Sequence, residues 1–143
     1  MRTMGAVIAL ALTGCHSVPD ARLQADIVIA AYEAEYGDVS EGEASCVYET
    51  RVTYARETPR CCKGDFWCFG CMRPGMLRAH ISIRDDLSEV GEIATLRHEY
   101  THVLLWCMTG DAVGDHDAPE FGYSGDVMAY DSLGMSVPLD NGR

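Results

Sequence analysis

The chain of 143 residues has no basic run or stripe, and 11 basic side chains stand against 22 acidic ones, a formal net charge of −11. Without such a run or stripe to follow a phosphate backbone, nucleic acid is argued against as a partner. It is soluble and self-repelling, in keeping with a monomer, and mildly favourable for a bound divalent cation. Long apolar runs are missing too. The stretch from Met4 to Leu12 is far short of the roughly 20 residues that a membrane span needs. Repeats and low-complexity tracts are absent, so a chain of this length is expected to form one modest domain.

What stands around that short apolar stretch is informative. Arg2 precedes it, and Leu12-Thr13-Gly14-Cys15 follows it. The pattern resembles the bacterial lipobox, a small-residue cleavage site directly before a cysteine that becomes lipid-modified. It implies a signal peptide over residues 1–14, a lipidated tether over 15–20 and a globular domain over 21–143. The product would be an exported lipoprotein, anchored on the periplasmic or cell-surface side of a membrane through Cys15. Assigning Cys15 to the lipid leaves an even set: Cys46, Cys61, Cys62, Cys68, Cys71 and Cys107. In an oxidising compartment these are expected to form disulfides, in a pairing that the spacing does not choose. A structural zinc knuckle on Cys61, Cys62, Cys68 and Cys71 is the competing reading.

Along the chain the pattern predicts an α+β domain. Asp20 can cap a helix to about Tyr36, with Leu23, Ile27, Ala30 and Ala34 on one face and Gly37 as the stop. Asp38 to Ser45 is polar and loop-like, and Cys46 to Ala55, rich in Val, Thr and Tyr, reads as a strand. Arg56 to Met76 carries two prolines, three glycines and four cysteines, a loop that needs staples. Arg78 to Arg84 alternates: Ala79, Ile81 and Ile83 face one way, with His80 on the solvent side of a half-buried edge strand. Ser88 then opens a helix to about Met108, closed by Gly110. Its stripe of Ile93, Leu96, Tyr100, Val103, Leu104 and Cys107 is expected to pack on the sheet, with His98 and His102 turned nearly opposite.

His98-Glu99-Tyr100-Thr101-His102 is an HExxH sequence. Two residues four apart on a helix differ by about 40° in rotation and about 6 Å in rise, so their imidazoles can converge on one ion. Zinc takes neutral imidazole well, and a hydrolytic site needs three protein ligands and one open position for the nucleophilic water. Glu99 lies beside the pair, where it can act as general base on that water. His116 is the leading third ligand, because Gly110 and Gly114 allow the chain to turn back along the helix. Asp115 or Asp117 could orient its ring. Asp111, Asp115, Glu120 and Asp126 are the carboxylate competitors. Tyr123 and Tyr130 are candidate donors to a developing oxyanion.

These residues resemble the zincin superfamily of zinc metallopeptidases, whose signature is HExxH on a helix preceded by a strand. The run from Gly110 to Phe121 looks like the third-ligand segment of small three-histidine zincins, among them SprT-like proteins and short bacterial metallopeptidase-like lipoproteins. The likeness covers about Leu77 to Tyr130. It implies a zincin-like fold, Zn2+ as cofactor, a peptide or protein substrate, and Ala79 to Ile83 as the edge strand on which an extended peptide adds. The metzincin spacing is not met, since Met108 stands where the third histidine would be. Ser124 to Tyr130 is similar to a Met-turn, though a short helix burying Val127, Met128 and Leu133 explains it as well.

The reading from sequence is thus a zinc-dependent peptide or amide hydrolase. Two alternatives stay open: a non-catalytic zinc-binding lipoprotein, and a binding module on a zincin scaffold that uses the disulfide-rich loop with Phe66, Trp67 and Phe69.

Overall fold

A computed structural model describes residues 18–62 and 68–111. Among them are three α-helices, one short 3-10 turn and a three-stranded mixed sheet, an α+β arrangement. The elements run α1 (Ala21–Tyr36), α2 (Glu41–Tyr48), β1 (Arg51–Ala55), the turn at Arg60–Cys62, β2 (Gly70–Arg73), β3 (His80–Arg84) and α3 (Glu89–Thr109). The expected signal peptide and tether, residues 1–14 and 15–20, fall largely outside the described residues, Cys15 included.

The helix ends are where local chemistry puts them. Asp20 accepts hydrogen bonds from the Arg22 and Leu23 amides, and Ser88 accepts from that of Gly91. At the other end of α3, Gly110 takes φ 75°, a left-handed turn that glycine enters without a side-chain clash, and its amide closes on Trp106.

Of the expected loop and the strand from Cys46 to Ala55, only the strand's second half, Arg51–Ala55, holds. Glu41–Tyr48 is a helix, fixed by a reciprocal capping box between Ser40 and Glu43. Cys46 sits on it, bonded to Cys107 of α3. Within α1 the predicted face is also wrong. Leu23 is 52% exposed, and Ala30 and Ala34 face solvent; Gln24, Ala25, Val28 and Ile29 are buried instead. The helix is apolar on more than one side, and the face it buries, Ala21, Ala25, Val28, Ile29 and Tyr32, also follows the i, i+4, i+7, i+8 rule. The packing partner decides between them, through the Arg97 guanidinium of α3, which donates to Gln24 Oε1 at 2.6 Å.

Strand order is β1-β3-β2, with β1 parallel and β2 antiparallel to β3. This corrects the expectation of β3 as an edge strand. It is the centre of the sheet, and β2, hidden in what reads as a loop, pairs with it from Gly70 opposite Ile83 to Arg73 opposite His80. The alternation itself holds, since Ala79, Ile81 and Ile83 are fully buried. Val52, Tyr54 and Met72 share that inner face and pack with Leu96, Tyr100, Val103 and Leu104 of α3. Burial pushes the Tyr100 hydroxyl up to about 12, with Tyr54 adding to it.

Helix α3 is wrapped rather than laid on a sheet by one stripe. It touches α1, α2, β2 and β3, and Glu92, Arg97, Glu99, Thr101 and His102 are buried beside its apolar residues. Three disulfides close the structure: Cys46–Cys107, Cys61–Cys71 and Cys62–Cys68. Their formation takes the thiols that a zinc knuckle on the Cys61–Cys71 segment would need.

Candidate metal centre

The site is built on α3 and steered by one close approach. An ideal Cβ on Gly70 of β2 would lie 2.6 Å from Thr95 Cγ2, 3.3 Å from the Ser82 carbonyl oxygen and 3.4 Å from Glu99 Cγ. Only a bare α-carbon lets the helix come this near the sheet. Thr95 and Glu99 are therefore seated against the β2 side of the sheet, and the Thr95 hydroxyl turns back to the Gly91 carbonyl at 2.8 Å. Glu99 keeps 4% of its surface.

His102 and His98 follow at about 60° and 100° round the helix from Glu99, away from the apolar core. Their ring centres are 5.0 Å apart and the planes nearly perpendicular. Two imidazoles bound to one zinc at about 2.0–2.1 Å, in a tetrahedral arrangement, have ring centres about 5 Å apart. The donor chemistry and the spacing fit zinc for these two positions. His102 is 8% exposed and His98 is half-buried.

Among the described residues no third histidine, cysteine or carboxylate completes a group with them. Asp111 is exposed beyond the end of α3 and joins no such group. His116, Asp115, Asp117, Glu120, Tyr123, Asp126 and Tyr130 lie outside the described residues, as do the Met-turn-like segment and the Phe66-Trp67 pair.

His80, expected at the surface, is half-buried on the sheet face away from α3. Thr53 Oγ1 lies 3.0 Å from its Nε2. Its pKa is lowered, first by burial and then by Arg73, Arg51 and Arg78. It cannot join His98 and His102 across the sheet.

Sequence reasoning misses two parts. The Gln24–Arg97 contact, 73 residues apart, has no local signal. Gly70 does have one, since an isolated glycine in a strand often marks a close backbone approach, but that signal is usable only once the strand around it is known. Comparison with known protein families, with curated proteins and with solved structures finds no match.

Proposed function

We propose that the protein is a zinc-dependent peptide or amide hydrolase of the zincin type, exported as a lipoprotein through Cys15. The observation that carries this reading is the His98–His102 pair, 5.0 Å between ring centres on one helix face, with Glu99 of the same HExxH motif held against Gly70 beside it. His98 and His102 would hold zinc through ring nitrogens, with His116 as the third ligand. Bound there, zinc would supply Lewis-acid polarisation of a carbonyl and bring the pKa of a water down to about 7.

Glu99 does the proton work. Its carboxylate takes the proton from the attacking water and returns it to the leaving nitrogen, so that one group serves as base and then as acid. Packing against Gly70 holds its stem in place before substrate arrives, which spares ordering cost at the moment of reaction. The peptide-docking role first expected of β3 falls away with its place at the centre of the sheet, and the Arg60–Cys62 turn packs against β2, with Cys62 Sγ 3.7 Å from the Gly70 carbonyl oxygen.

The test is Glu99→Gln, which should keep the metal and lose hydrolysis of a mixed peptide library by at least about 100-fold. Retained zinc with unchanged hydrolysis would transfer the activity to other groups. Retained zinc with no hydrolysis in the parent either would favour a non-catalytic zinc protein. One observation favours a second reading, a binding module. Phe69 is 43% exposed between Cys68 and Cys71, on a segment stapled by two disulfides.

A further inference from the structure

The loop joining β2 to β3 runs Pro74-Gly75-Met76-Leu77-Arg78-Ala79, and its tip carries the most exposed apolar side chains among the described residues. Met76 is 103% and Leu77 90% exposed. Three arginines stand at the base of this loop. Arg73 and Arg51 flank His80 from the two neighbouring strands, Arg78 is next to Leu77, and all three act on the His80 imidazole. They are exposed, and none is in an ion pair among the described residues. In a chain of net charge −11 this is a local reversal of sign. Glu49 is the acidic residue that shares a groove with it, a space of about 510 Å³ lined by Tyr48, Glu49, Thr50, Leu77 and Arg78.

The same groove fixes where the tip lies relative to the start of the domain. The Arg22 guanidinium, in the first turn of α1, stacks 3.2 Å over the Tyr48 ring. Tyr48 in turn lines the groove with Leu77 and Arg78. The point at which the chain enters α1 and the apolar tip are therefore on one side of the molecule. A lipid on Cys15, only a few residues before α1, would hold that side towards the bilayer.

We propose that the Met76–Leu77 tip, with Arg51, Arg73 and Arg78 at the base of its loop, is a membrane-contact loop that docks on anionic phospholipid headgroups. The placement rests in part on the lipoprotein reading; the apolar tip and its arginines do not. Apolar side chains enter the headgroup boundary and arginines meet the lipid phosphates, two weak contributions that act together. Docking there would fix the orientation of the domain on the membrane.

The experiment uses the full chain carrying Cys15→Ala, so that no lipid is attached. Sedimentation is measured with phosphatidylglycerol–phosphatidylcholine vesicles and with pure phosphatidylcholine vesicles. The parent should bind the anionic vesicles more tightly than the neutral ones. Arg73→Ser with Arg78→Ser should lower binding to the anionic vesicles by about 30-fold. Met76→Ser with Leu77→Ser should lower it by about tenfold or more, with circular dichroism unchanged in both. Equal binding of the parent to both vesicles, or anionic binding that either double variant leaves intact, would overturn the proposal. Labelled fatty acid uptake at Cys15 in cells is read separately. Its failure removes the anchor and leaves the vesicle result standing.

Discussion

At the scale of single residues, the site depends on what is missing at position 70. A methyl group there meets Thr95 Cγ2 at 2.6 Å and the Ser82 carbonyl oxygen at 3.3 Å. Gly70→Ala is expected to cost about 1–3 kcal/mol of stability, as overpacking does, and to lower the proposed hydrolysis by shifting α3, which carries Glu99. Adding Thr95→Ser removes the clashing methyl and keeps the hydroxyl that bonds Gly91. The double variant should regain most of the loss in a urea melt. If it does not, the Thr95 contact is not what constrains residue 70.

His80 gives a residue-scale test in pH. Its folded pKa lies below the ordinary 6.5, so the fold favours the neutral ring. Between the lowered folded value and 6.5 the unfolded chain binds more protons, and stability rises with pH across that window. The contribution is full above pH 6.5 and is lost as pH falls through the folded value. Replacing His80 with Gln should flatten the change of melting temperature with pH below 6.5. An unchanged profile would place the titration elsewhere.

Elements differ in how plainly they can be read. Helix α3 is legible because Ser88, Gly110 and the histidine spacing are all local signals, and β3 because Ala79, Ile81 and Ile83 alternate. Helix α2 escapes the pattern although Ser40 and Glu43 spell a capping box, since its body is short, polar and weakly apolar on any face. Strand β2 is illegible for a different reason. Gly70 has little strand propensity and the strand is only four residues long, so pairing with β3 and the bond to Cys61 make it what it is. The buried face of α1 is undetermined by sequence because two faces satisfy the same periodicity, and Arg97 chooses between them.

The disulfides make a prediction at this scale. Cys46–Cys107 joins α2 to α3 across 61 residues, whereas Cys62–Cys68 spans 6. Loop entropy alone gives roughly 4 kcal/mol for the long closure and roughly 2 kcal/mol for the short one. Paired alanine substitutions should keep that order in denaturant melts. A larger loss from the short closure would mean that the Cys61–Cys71 segment supports the fold more than the helices do.

For the whole molecule, class is easier to read than topology. Composition and element order already imply an α+β domain, but the central place of β3 and the antiparallel β2 beside the HExxH helix come from long-range pairing. The candidate site divides the same way. His98, Glu99 and His102 are readable from spacing, because one helix carries all three. The third ligand of the proposed site would come from another part of the chain, and no spacing rule gives its position. His116 remains the proposed one.

The central claim is that His98 and His102 hold a zinc ion. Elemental analysis of the purified full chain, beside its His102→Ala variant, tests it most directly. One zinc per parent chain and a sharp loss in the variant is the predicted result. A parent that takes up no zinc under several loading conditions, or a variant that keeps it all, would contradict the account.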